Sequence, residues 1–111
     1  RPPHGLVGSD AETPYLREAR KEFPVWRRES FTVRCDSDRA QLAMVRAGAG
    51  IGICQQPLAP PYGLVRVLPD VEVMLPLWLA MHEDLRSSPR CRVTFEALAE
   101  GLRAYCGGRA P

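Results

Sequence analysis

The chain has 111 residues, enough for one domain with a modest hydrophobic core. Its 45% hydrophobic and 25% charged residues are ordinary for a globular protein, and its formal net charge is +2. This balance does not favour nucleic acid binding, and the longest apolar run, residues 75–81, is far shorter than the roughly 20 residues of a membrane span. Because the chain begins with Arg1 and lacks a secretory signal, we expect a fragment or a processed product.

The first elements in chain order are a strand, a helix and a second strand. Residues 6–9 are predicted to form a short strand. Thr13 followed by Pro14 predicts a helix start, because threonine caps the first turn and proline lacks only an N–H that would be unpaired there. Pro24 ends this helix. Residues 31–35 are β-branched and aromatic, which predicts the second strand.

The segment from residue 36 to residue 57 is predicted to be a helix, a glycine-rich turn and a buried strand. Asp36 or Ser37 is expected to cap the helix. The strand covers residues 51–55. The glycines of the turn, Gly48, Gly50 and Gly52, resemble part of a dinucleotide-binding motif. That motif needs a strand before the glycines and a helix after them, so we interpret these glycines as a helix end and a close packing contact.

The second half of the chain is predicted to contain two more strands and a long helix. The strands are residues 64–68 and 75–82, with Trp78 in the core, whereas Trp26 is expected at the surface beside two arginines. Ser88 and Pro89 begin a helix with one apolar stripe: Cys91, Phe95, Leu98, Leu102 and Tyr105. The predicted fold is therefore α/β, a mostly parallel sheet with flanking helices and one antiparallel strand.

The four cysteines stand alone in the sequence, at positions 35, 54, 91 and 106. They form no Cys-x-x-Cys pair and no Cys/His spacing, so we predict no metal site and no cofactor. Buried, unreactive thiols in a reducing cytoplasm are the expected state, and a redox sensor is the rival interpretation.

Polar side chains follow the three predicted parallel strands at the point where each strand ends. Parallel strands share their carboxyl edge, where α/β proteins tend to bind ligands. This edge, with its helix N-termini, suits a small polar or anionic ligand. The candidate binding residues are Ser9, Asp10, Cys35, Asp36, Ser37, Gln55 and Gln56. The alternative is that these residues only terminate buried strands. No nucleophile motif or acid–base pair is visible, so we predict no catalytic residues and no enzyme.

Several sequence pieces resemble the C-terminal half of the effector-binding domain of LysR-type transcriptional regulators. They are DRAQLAMVRAGAGIGICQQPLA, GLVRVLP and LPLWLAMHEDLRSSPRCRVTFEALAEGL, and the upstream GLVGSD resembles the strand that opens the second subdomain. The resemblance implies a periplasmic-binding-protein-like fold that senses a small-molecule effector in a cleft between two subdomains.

The resemblance also implies a domain organisation. Residues 5–70 would form the second subdomain, and residues 75–106 would form a crossover strand and helix that pack on a first subdomain missing from this chain. DNA would be contacted only through an N-terminal helix-turn-helix domain, which the chain also lacks. We expect a cytoplasmic homo-oligomer without membrane contact; the alternative is a stand-alone solute-binding or small enzymatic α/β domain.

Overall fold

The computed structural model describes residues 4–107 and has a mixed α/β architecture. The main elements in chain order are β1 (Leu6–Gly8), α1 (Pro14–Glu22), β2 (Phe31–Arg34), α2 (Asp38–Arg46) and α3 (Pro89–Tyr105). These residues divide into two compact units, with the boundary between Met74 and Leu75. Within residues 4–107, no helix has the length and apolar character needed to cross a membrane.

The sheet in the N-terminal unit is small and parallel, with β1 at its centre. On one side β1 pairs with β2, matching Leu6 with Phe31. On the other side Leu6 forms a single parallel bridge with Ile51, where Val7 N donates to Ile51 O at 2.8 Å and Ile51 N donates to Gly5 O at 2.9 Å. The strand predicted at residues 51–55 is therefore reduced to one bridge, although its position and direction agree with the prediction.

The helices begin where the sequence predicts. Thr13 Oγ1 accepts a hydrogen bond from Leu16 N at 3.1 Å at the start of α1. Ser37, rather than Asp36, caps α2 by accepting from Ala40 N at 3.3 Å. Each cap satisfies one otherwise unpaired N–H of the first turn. Helix α3 begins after Ser88, with proline in its first turn, as its sequence predicts.

The hydrophobic core lies in the N-terminal unit between β1, α1 and the segment that leads to β2. Its buried members are Leu6, Val7, Leu16, Ala19, Trp26 and Phe31. Trp26 is only 4% exposed, and its ring meets Phe31 edge-on with centroids 5.0 Å apart. The prediction that Trp26 lies at the surface is therefore wrong, because its ring packs inward even though two arginines follow it.

The glycine-rich turn confirms the packing interpretation. Gly48 follows α2 with φ of 78°, a left-handed conformation that favours glycine. A side chain at Gly50 would collide with the carbonyl oxygen of Gly5, and one at Gly52 would lie 2.5 Å from Val45 of α2. These glycines allow α2 and the chain after it to approach β1 closely.

The two strands predicted in the second half are absent from the described structure. Residues 64–68 and 75–82 belong to no strand within residues 4–107, so the predicted antiparallel strand is not observed there. Trp78 is 85% exposed, so its predicted place in the core is also wrong. An apolar run becomes a strand only when another strand pairs with its backbone, and the described residues provide no such partner here.

Candidate functional site

The carboxyl ends of β1 and β2 lie side by side, and each leads through a short loop into a helix. β1 ends at Gly8, and Cys35 N donates to Gly8 O at 2.9 Å, which extends the pairing past the end of β2. The loops that follow carry the predicted site residues 9–10 and 35–37. We call these two loops, together with the start of α2, the sheet edge.

Asp36 joins the two loops of the sheet edge. Its Oδ1 accepts hydrogen bonds from Asp10 N and Ala11 N, both at 2.8 Å. Bonds from backbone N–H groups to a carboxylate are charge-assisted and are stronger than neutral ones. Asp36 therefore holds the loop after β1 in a fixed position relative to the loop after β2.

Gln41 forms a second link across the same edge. Its Nε2 donates to Ser9 Oγ at 3.1 Å and also to the backbone oxygen of Cys35. The first turns of α2 thus contact both loops. With Ser37 capping α2, five of the predicted site residues belong to one hydrogen-bonded arrangement: Ser9, Asp10, Cys35, Asp36 and Ser37.

Asp10 carries the electrostatic contacts of the sheet edge. Arg28 binds it twice, with Nη2 2.8 Å from Asp10 Oδ1 and Nε donating to Asp10 O at 3.1 Å. Arg34 approaches the same Oδ1 through Nη1 at 3.6 Å. Two guanidinium groups therefore share one carboxylate that is about half exposed to solvent.

Tyr15 and Cys54 add a partly buried region beside the helix starts. Burial raises the pKa of Tyr15 from its ordinary value of 10.0 to about 12, and the nearby Asp38 and Cys54 add to this effect. Burial also raises the pKa of the Cys54 thiol. Both groups are therefore protonated at neutral pH, and Cys54 has little thiolate character, which disfavours a redox role for it.

Gln55 and Gln56 lie at the end of the segment that bridges to β1. Gln55 is exposed, and its backbone oxygen accepts from Leu58 N at 3.0 Å in a short 3-10 turn. Gln56 donates from Nε2 to Glu72 Oε1 at 3.3 Å. The Gln56 amide is therefore joined to a residue outside the sheet edge.

Sequence reasoning missed four residues that shape this site: Tyr15, Arg28, Arg34 and Gln41. Tyr15 directly follows the Thr13-Pro14 helix start, which is a local signal that could have identified it. The contacts of the other three span up to 32 positions along the chain, so no local pattern indicates them.

A separate apolar groove of about 360 Å³ lies within the C-terminal unit. Its lining consists of Leu79, Ala80, Met81, Leu85, Arg90, Cys91, Thr94, Phe95 and Leu98. None of the predicted site residues lines it. Within the described residues, no group of three or more His, Cys, Asp or Glu side chains is arranged to hold a metal ion.

Comparison with protein families gives one match that spans most of the chain. A family model described as the LysR substrate binding domain matches residues 14–103, from the start of α1 into the last turns of α3. Searches of curated proteins and of solved structures returned no match.

Proposed function

The chain belongs to the LysR substrate-binding domain family, and on this premise we propose that it senses a small molecule for a LysR-type transcriptional regulator. Members of that family are non-enzymatic regulators, so the chemistry required is reversible binding. The match supports effector binding in general, while the position of the site rests on the geometry of the sheet edge.

The effector site is proposed to include the sheet edge and the end of the segment 51–55 as one wall, with Asp36, Ser37 and Gln55 nearest the ligand. The observation that carries this proposal is the pair of hydrogen bonds that Asp10 N and Ala11 N donate to Asp36 Oδ1. These bonds fix two loops at the carboxyl end of a parallel sheet, where α/β proteins place their ligands. A wall that is rigid before binding loses little conformational entropy when a ligand arrives. We propose a small polar or anionic effector.

The two units are proposed to have different roles. Residues 5–70 form a periplasmic-binding-protein-like subdomain that carries the sheet edge. Residues 75–106 cross to a first subdomain, which in a complete regulator covers their apolar side chains. In support, Leu75, Leu77 and Trp78 are 48%, 52% and 85% exposed, and burying such side chains contributes about 1.5–3 kcal/mol each. We also propose homo-oligomers and a cytoplasmic location, where the four free cysteines stay reduced.

Contact with DNA is proposed to belong to an N-terminal helix-turn-helix domain of such a regulator. The nearly balanced charge of this chain supports that division, because specific duplex binding needs a basic surface and an element that enters a groove.

Ligand screening by thermal shift tests the proposed function. A library of small polar and anionic compounds should contain members that raise the melting temperature of the chain, because a ligand that binds only the folded state stabilises it. Gln55→Ala should reduce that shift, whereas Glu96→Ala, a polar-to-alanine change on α3 outside the sheet edge, should leave it unchanged. If the compounds shift the melting temperature of both variants equally, the ligand binds elsewhere.

A further inference from the structure

Several backbone donors at and beside the sheet edge are already paired with acceptors of the same chain. The bonds run from Asp10 N and Ala11 N to Asp36, from Leu16 N to Thr13, and from Ala40 N to Ser37. An anionic ligand that approached these donors would have to displace their bonds, whereas a cationic side chain could bind it directly. The second route keeps the loops in place.

Two arginines contact Asp10 of the sheet edge, but they are held very differently. Arg28 makes two short contacts with Asp10, one through Nη2 and one through Nε. Arg34 makes only one contact with the same carboxylate, at 3.6 Å, and its side chain is 41% exposed. If Arg34 turned toward a ligand, Asp10 would keep Arg28 as its partner, so no carboxylate would be left without a counter-charge.

We propose that Arg34 determines the specificity of the effector site by binding an anionic oxygen group, a carboxylate or a phosphate, of the effector. This inference rests on the proposed function and adds a residue and a ligand class to it. Arg34 is the last residue of β2 and directly precedes residues 35–37 of the sheet edge. Its planar guanidinium offers paired N–H donors that match either anion, which the single charged group of a lysine does not.

Titration of the isotope-labelled chain, followed by NMR, tests this assignment. The probes are succinate and inorganic phosphate at constant ionic strength, with propylamine as the cationic counterpart. We expect at least one of the anions to shift the Arg34 side-chain N–H signals and the amides of Ser9 and Asp36. The anion that binds more tightly identifies whether the site prefers a carboxylate or a phosphate.

Substitutions then separate the role of Arg34 from a general effect of charge. Arg34→Gln should weaken binding of that anion by about tenfold or more, because it removes charge-assisted hydrogen bonds. Arg34→Lys keeps the charge without the paired donors, so it should lose less affinity for the anion than Arg34→Gln does. Arg17→Gln, which removes the same charge from an exposed position on α1, should bind as the wild type does. Amide signals of the buried residues Leu6 and Trp26 at their wild-type positions in each variant verify that the chain remains folded.

Each contrary result has a distinct meaning. If the anion shifts the edge amides but Arg34→Gln binds it as tightly as Arg17→Gln, the role of Arg34 is refuted and the effector site is retained. If only propylamine shifts the edge amides, the anionic ligand class is refuted and the site again stands. If no probe and no compound from the thermal-shift library shifts them, both proposals are refuted.

Discussion

Asp36 links two loops through one oxygen atom, so single substitutions can test how much this link contributes. Asp36→Ala removes the acceptor for Asp10 N and Ala11 N, and we expect the free energy of unfolding to fall by about 1–2 kcal/mol. Asp36→Asn keeps an uncharged oxygen that can accept the same bonds, so it should lose about half as much. Urea denaturation measures the stability, and hydrogen exchange at residues 10 and 11 localises the change. Equal losses in both variants would show that charge, not hydrogen bonding, matters.

The raised pKa of Tyr15 leads us to expect a loss of folding stability at alkaline pH. Burial, with Asp38 and Cys54 nearby, raises the pKa of Tyr15 from 10.0 to about 12 in the folded chain. The unfolded chain therefore releases this proton first as the pH rises. The stabilising contribution is complete below about pH 10 and is lost as the pH rises toward 12.

Comparison with Tyr15→Phe isolates this effect, because phenylalanine cannot ionise. Between pH 10 and 12 the unfolding free energy of the wild type should fall more steeply than that of the variant. Urea denaturation at increasing pH measures both slopes. Parallel pH profiles would mean that Tyr15 is as accessible to solvent in the folded chain as in the unfolded one.

At the scale of single residues, sequence predicts what depends on near neighbours. The caps by Thr13 and Ser37 depend on residues three positions away, and both are found where the sequence indicates. The predicted burial of both tryptophans is wrong because the burial of a large side chain depends on elements distant in sequence. The contact between Arg34 and Asp10 is equally distant in sequence, so the charge arrangement of the candidate site emerges only from the fold.

At the scale of elements, two glycines offer a matched pair of substitutions, one in the glycine-rich turn and one in α3. Gly50→Ala would place a methyl group against the backbone oxygen of Gly5, which already accepts a hydrogen bond from Ile51 N, and should cost about 1–3 kcal/mol of stability. Gly101→Ala lies within α3 with no atom near the added methyl group and should stabilise the chain by about 0.5–1 kcal/mol. Urea denaturation of the two variants gives opposite shifts in midpoint. A neutral Gly50→Ala would mean that the turn can move away from β1.

The elements also show why the helices are predicted well and the strands less so. A helix forms its hydrogen bonds within one segment, so local signals suffice to place the helices: caps for α1 and α2, and a first-turn proline with an apolar stripe for α3. A strand needs a partner from elsewhere in the chain. β1 and β2 have each other, whereas residues 64–68 and 75–82 have no strand partner in the described structure.

At the scale of the whole molecule, the two units differ in how they cover their apolar side chains. The N-terminal unit buries an aromatic and aliphatic core around β1 and α1. Both units expose large apolar side chains, but within residues 4–107 only the N-terminal unit also has a buried core. The exposed ones of the C-terminal unit, which we call the C-terminal apolar surface, are Leu75, Leu77, Trp78, Leu85, Val93 and Leu98. A unit that exposes many large apolar side chains and buries none commonly uses them as a contact surface, so we expect the C-terminal apolar surface to be covered by another polypeptide.

Self-association of the chain in solution is the measurable consequence of this exposed surface. When the 111 residues are studied alone in solution, a second copy is the available cover, and sedimentation velocity should show an average mass that rises with concentration. Trp78→Ser should weaken the association by about tenfold or more, because large aromatic side chains contribute most at such contacts. Val65→Ser, at a residue that is 83% exposed in the other unit, is the matched control and should associate as the wild type does. A constant monomer mass at all concentrations, or equal weakening by both substitutions, would show that the C-terminal apolar surface does not mediate contact between copies.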